Sequence, residues 1–141
     1  MRINPQKEKD RMRYLYAMKS RLRNLRQKRK PDFNSAKSWL RSVKGAGVYG
    51  VFEKGKLVYV GETSSFQRRM GEVKQFLHVL PRRIFKIKKG QRITDKDRIR
   101  MRRWMEKHFE FAFLRLKLGR KELEEWIIKR DKPKYQGLVK R

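Results

Sequence analysis

Residues 47–61, GVYGVFEKGKLVYVG, constrain the fold more than any other part of this chain. Val48, Val51 and Phe52 stand before EKGK, and Leu57, Val58 and Val60 stand after it. β-Branched and aromatic runs of this kind suit a pleated strand, and a short glycine-bearing segment between them suits a tight reversal. The runs at 47–53 and 56–61 are therefore expected to pair antiparallel, with Gly55 in the turn. The hairpin also carries polar groups. Tyr49 and Tyr59 lie ten residues apart, one on each arm, and Arg69 follows ten residues later.

The segments around the hairpin read mostly as helices. Met12, Leu15, Met18, Leu22 and Leu25 recur at three- and four-residue steps, which predicts a helix over 5–30 with one apolar stripe. Between them lie Arg11, Arg13, Lys19, Arg21, Arg23, Arg26 and the run Lys28, Arg29, Lys30. Such a helix can dock on the domain and leave a solvated charged face. The excess of one sign leaves too few acidic partners for ion pairing along the helix, which favours a phosphate-binding arm. The apolar stripe is also a possible dimerisation seam. Pro31 ends the helix, and Asn34 or Ser35 is expected to cap a short helix through Trp39 to Val43.

A further helix is expected from Ser64 or Ser65, with Phe66, Met70, Val73 and Leu77 on one face and Arg69 beside it. RIFKIK, 83–88, alternates apolar and basic residues and reads as a strand. Asp95 or Asp97 is expected to cap a helix through Trp104. FEFAFLRLKL, 109–118, could continue that helix or form a strand, and its aromatic alternation favours the strand. RKELEEWIIKRD, 120–131, reads as a helix ended before Pro133. The expected class is α/β (α+β): a small, mainly antiparallel three-stranded sheet flanked by helices, with an N-terminal basic helix.

Charge narrows the partners. Against 42 Lys and Arg stand 14 Asp and Glu, a formal net charge of +28 on 141 residues. An anionic surface must offset such a field. A membrane is disfavoured: no apolar run approaches the roughly 20 residues that span a bilayer, MRINPQKEKD has no apolar signal core, and basic residues run from Arg2 to Arg141. Nucleic acid is the expected partner. Cysteine is absent, which rules out disulfides and thiolate metal sites and fits a reducing compartment. Two histidines cannot make a zinc site alone, so any metal would be a hard cation held by oxygen.

Taken together, Gly47-Val48-Tyr49 and Tyr59-Val60-Gly61 resemble the paired signatures of the GIY-YIG nucleases, with nine residues, Gly50 to Val58, between them. Arg69, with Arg68 beside it, matches the arginine that the family carries on the helix after its second motif. LEEWIIKRDKPKYQ, 123–136, is similar to the segment that holds the family's metal-binding glutamate and closes in Pro-x-Tyr-Asn; Glu124 is the matching residue and Glu125 its neighbour. The likeness covers about residues 44–136. It divides the chain into a basic helical arm, 1–43, and a nuclease-like domain, 44–141, with a helical insertion around 90–108. Two positions depart from the pattern. Gln136 stands where the family has asparagine. Val73 stands where many members have His or Tyr one turn after the arginine, leaving Lys74 or His78 to substitute.

What the resemblance implies is a divalent-metal-dependent endonuclease that hydrolyses DNA, of a homing, restriction or repair type. Mg²⁺ or Mn²⁺ would sit on Glu124. Tyr49 would take a proton from water, Tyr59 would position water or phosphate, Arg69 would bind phosphate, and Gln136 would complete the site. Arg68, Lys74 and Lys134 would join the basic residues of the first helix in contacting nucleic acid, DNA in preference to RNA, in a cytoplasmic or nucleoid-associated setting. Chemistry supports these types: guanidinium matches phosphate bidentately, a carboxylate suits Mg²⁺, and tyrosine at about 10 is a poor base unless cations lower it. Taken singly, each residue has a commoner use. Hairpin tyrosines usually pack, a helical arginine is usually solvated, and Glu124 could pair with Lys121 or Arg120. The competing reading is a non-catalytic RNA- or ribosome-binding basic protein on the same scaffold.

Overall fold

The structure is a computed structural model, and it describes residues 4–23, 31, 43–75 and 78–136. Pro5–Arg23 form α1. Asn4 opens it by accepting hydrogen bonds at Oδ1 from the N–H groups of Gln6 and Lys7, and Pro5 takes the first helical position, where a missing N–H costs nothing. The remainder of the helix expected over 5–30 lies outside the described residues, as does the one expected from Asn34 or Ser35 through Trp39 to Val43, except for Val43 itself, which is not helical.

The hairpin forms as its sequence predicts. Gly47–Glu53 (β1) and Lys56–Thr63 (β2) pair antiparallel, with β2 two residues longer than expected. Lys54 (φ 51°) and Gly55 (φ 77°) both adopt the left-handed conformation that a tight two-residue hairpin turn requires. Phe109–Arg115 (β3) pairs antiparallel with the other side of β1, giving the order β2-β1-β3. A three-stranded antiparallel sheet flanked by helices is thus the architecture.

After β2, Ser65 caps Phe66–Lys74 (α2) by accepting the Arg68 N–H at Oγ. The strand expected at 83–88 does not form. Val79–Ile84 are a short helix, α3, opened by His78, and the chain then turns through Phe85 and the left-handed Lys86 (φ 53°). Phe85 and Ile87 donate back to Pro81 and Arg82, so their N–H groups are spent locally rather than on the sheet. Asp95–His108 form α4, and its cap is Thr94 rather than Asp95 or Asp97: Thr94 Oγ1 accepts the Asp97 N–H at 3.1 Å. Arg120–Asp131 form α5, which ends on the left-handed Lys132 before Pro133.

Alternation along the strands divides the core. Tyr49, Val51, Tyr59, Phe111 and Phe113 face α2, α3 and α4, whose Phe66, Met70, Val73, Leu80, Met101 and Met105 close over them. Val48, Phe52, Val60, Ala112 and Leu114 face the other way, where Leu15 of α1 and Leu123 and Ile127 of α5 cover them. The described part of the α1 apolar stripe is therefore used within the chain: Leu15 is fully buried, with Met12 and Met18 packed around it. Beyond α5 the chain returns to the outer edge of β2. Tyr135 donates its N–H to Val58 O, and the buried Gln136 side chain both accepts from Val60 N–H and donates to Val60 O, each at 3.1 Å. An edge strand that would otherwise offer open pairing groups is thereby covered. Among the described residues no helix is long and apolar enough to cross a membrane.

Candidate active site

Tyr49 sits in the central strand, opposite Phe113 on one side and Gly61 on the other. Gly61 leaves the space that the phenol fills: a Cβ there would lie 2.3 Å from Tyr49 Cζ and Oη. Gly47 permits a different close approach, since a Cβ on it would meet Leu114 O at 1.9 Å. The glycines of both triplets are thus steric requirements of the site's frame.

The Tyr49 and Tyr59 rings lie side by side, 6.1 Å between centroids, and His78 packs edge-on to both. Tyr49 Oη and His78 Nε2 are 2.9 Å apart. Burial pushes the Tyr49 hydroxyl well above its ordinary value, with Tyr59 adding to the rise and Arg69 opposing it. Burial likewise raises Tyr59, against a lowering hydrogen bond from Tyr49. His78 is pushed down to about 4 by burial and by the cations Arg69 and Arg83. At neutral pH the cluster therefore holds two phenols and a neutral imidazole.

Arg69 arrives from α2. Its charge is felt at Tyr49, Tyr59, His78 and Glu124, so it stands among all four. Glu72 is its ion-pair partner at 3.7 Å, a long contact, and its Nε is buried with no hydrogen-bond partner. An orphaned buried guanidinium N–H is costly, and an anion that accepts from it would remove that cost.

Glu124 reaches the site from α5 at the end of β2, where its Oε2 accepts the Glu62 N–H at 2.8 Å. Burial raises this carboxyl to about 7; the Glu62 N–H works against the rise, the Glu62 and Glu125 charges add to it, and Arg69 lowers it. Arg120 does not pair with Glu124. Its Nε donates to Glu62 Oε2 at 2.9 Å. Among the described residues no three His, Cys, Asp or Glu side chains gather as a metal cage. The donor set still fits one hard cation: a desolvated carboxylate crowded by two others gains from a positive charge, and Mg²⁺ takes one or two carboxylates and fills its remaining positions with water and phosphate oxygens.

Tyr49, Tyr59, Arg69 and Glu124 thus converge from β1, β2, α2 and α5. Gln136 is adjacent in space to Tyr59, but its amide is occupied by the Val60 backbone. Between the two expected substitutes for a residue at Val73, His78 touches Tyr49, whereas Lys74 lies in the last turn of α2 and its carbonyl accepts from Arg102. Val73 itself is fully buried in the core. Arg68 is exposed beside Ser64, and Lys134 lies 5.1 Å over the Tyr135 ring.

The α1 cations lie across the sheet from this cluster. Arg11 pairs with Glu122 at 2.6 Å and Lys19 with Asp131 at 2.7 Å, so both fasten α1 to α5. Arg13 and Arg21 are exposed, the side chain of Arg23 lies outside the description, and Arg26 lies outside the described residues. Arg83 is a neighbour that the sequence did not single out. It lies near Tyr59 and His78 and donates to the carbonyls of Tyr135 and Gln136, tying α3 to the closing segment.

No protein-family model and no curated protein matches the chain. Among solved structures it is similar to the GIY-YIG N-terminal endonuclease domain of UvrC from Thermotoga maritima. Two tyrosine-to-phenylalanine mutants of that domain, each bound to its catalytic divalent cation, match at 20% and 22% identity over 67% of this chain and 84% of theirs, with a TM-score of 0.39. An asparagine-to-alanine mutant matches at 18% identity over 86% of this chain and 96% of its own, also at 0.39.

Proposed function

We propose that this chain is a divalent-metal-dependent endonuclease that hydrolyses DNA phosphodiester bonds. The observation that carries this reading is the place of Arg69: a guanidinium with an unpartnered buried Nε, standing among two tyrosines and a desolvated carboxylate. Packing alone does not call for that combination, whereas phosphodiester hydrolysis does. It needs charge stabilisation at phosphorus, an oriented water and help for the departing oxygen.

Arg69 binds the scissile phosphate through its planar fork and holds the developing negative charge. Glu124 is the residue that holds a cation, Mg²⁺ or Mn²⁺, which when bound supplies a Lewis acid for phosphate oxygens. Tyr49 and Tyr59 keep their protons in the free protein, so their hydroxyls orient water and phosphate by hydrogen bonding. Burial opposes the base role that the resemblance implies for Tyr49. Gln136 acts by clasping Val60, which holds β2 and hence Tyr59 in register. Affinity for nucleic acid comes from phosphate contacts by exposed cations, Arg13, Arg21, Arg68 and Lys134 among them, and falls steeply with salt.

The test is cleavage of supercoiled plasmid, single-stranded DNA and structured RNA with Mg²⁺, beside EDTA and Glu124→Ala controls. Metal-dependent cutting of DNA that is lost in Glu124→Ala is expected. Tight, salt-sensitive binding with no cutting of any substrate would replace this reading with a non-catalytic RNA- or ribosome-binding protein.

A further inference from the structure

We infer that His78 is a positioning residue for this site: its ring is locked as the Nε2–H tautomer and donates to Tyr49 Oη, turning the phenolic proton of Tyr49 away from His78, toward Tyr59. The catalytic consequence rests on the nuclease reading above; the lock rests on geometry alone.

His78 opens α3, and its Nδ1 accepts the Leu80 N–H at 3.0 Å. A ring nitrogen that accepts from an N–H carries no proton of its own, and a neutral imidazole has one proton to place. That proton is therefore on Nε2, 2.9 Å from Tyr49 Oη. A helix cap thus decides the direction of a hydrogen bond on the other side of the ring. Burial and the cations Arg69 and Arg83 keep a second proton off at neutral pH.

Two consequences follow for Tyr49. Its oxygen accepts from His78, so its own proton must be directed elsewhere, and the Tyr59 ring is the polar neighbour beside it. His78 also cannot take a proton from Tyr49, because the nitrogen facing the phenol is already protonated and the other is spent on α3. His78 thus sets the orientation of the Tyr49 hydroxyl without accepting a proton. It enters the site from the start of α3, because the position one turn after Arg69 is given to core packing through Val73.

Two variants separate capping from positioning. His78→Asn keeps an acceptor near the Nδ1 position and so keeps the cap, but is too short to reach Tyr49. His78→Gln carries an amide N–H to the Nε2 position and gives up the cap. His78→Asn should melt within a few degrees of wild type, with kcat lowered about 3- to 10-fold, the usual worth of a hydrogen bond between neutral groups, and KM changed less than about twofold. His78→Gln should recover most of kcat despite a weakened α3. Independently, ¹⁵N–¹H correlations of the wild-type imidazole at pH 7 should show the Nε2–H form. An Nδ1–H or charged ring, a His78→Asn variant that cuts at the wild-type rate, or a His78→Gln variant no faster than His78→Asn would each overturn the inference. Failure of the nuclease reading is seen in the wild type alone, as no cutting with any substrate, and it removes the catalytic role whatever the tautomer.

Discussion

One strand, β1, serves two unlike halves of the molecule. Its Val48 and Phe52 look toward α1 and α5, into a cluster of apolar side chains. Tyr49, between them, looks toward α2 and α3 and meets Tyr59, His78 and Arg69. On the first side the charged groups stay at the rim, where Arg11–Glu122 and Lys19–Asp131 bridge two helices. On the second side they reach the interior: the Arg69 Nε is buried without a partner, and the Glu124 carboxyl is raised to about 7. The apolar side is a stability device. The polar side costs stability, as sites organised for charged ligands commonly do.

That contrast can be broken first at Leu15. Leu15→Ala should cost about 2–5 kcal/mol, the usual range for a fully buried leucine, in urea denaturation, while cleavage per folded molecule stays unchanged. A loss below about 1 kcal/mol would mean that α1 is only loosely docked.

The polar side answers in the opposite sense. Glu124 titrates near 7, above its ordinary 4.5, so between those values the native state keeps a proton that the unfolded chain has released. Its contribution to stability is full below about 4.5 and is lost as pH rises through 7. Glu124→Gln removes that dependence. Its melting temperature should match wild type near pH 4 and exceed it by a few degrees at pH 8, a modest gain because solvent screens a part-exposed carboxyl. A variant less stable than wild type at pH 8 would contradict the desolvation of Glu124.

The smallest effect belongs to the rim. Lys19→Ala should cost less than about 1 kcal/mol and the difference should shrink in high salt, as for other ion pairs near the surface. A cost that does not change with salt would move this pair from the rim into the core.

The hairpin was legible because strand periodicity and turn chemistry agree within fifteen residues, and Lys54-Gly55 could close it in only a few ways. RIFKIK misleads because alternation over six residues satisfies a strand pattern as well as a short helix that unwinds. Ile84, Phe85 and Ile87 all still find the core, by a turn rather than a pleat. Tyr49, Tyr59, Arg69 and Glu124 were singled out by the resemblance of their motifs to a known family, and the fold brings the four side chains near one another. The Glu62 N–H bonded to Glu124 and the clasp of Gln136 on Val60 join segments 62 and 76 residues apart. One is a backbone group and the other a side chain spent on backbone, so neither leaves a local pattern to read. The division of labour on α1 was hidden in the same way. Arg11 and Lys19 look like Arg13 and Arg21 until Glu122 and Asp131 are placed beside them.

The missing side chain at Gly61 is, in effect, part of Tyr49. Because the phenol occupies the volume that a Cβ would need, the two triplets form one interlocking piece, and neither can be exchanged without its mate. A hairpin borrowed for design that carries the tyrosine on one arm, with anything larger than hydrogen opposite, would deliver the right functional group to a place already full.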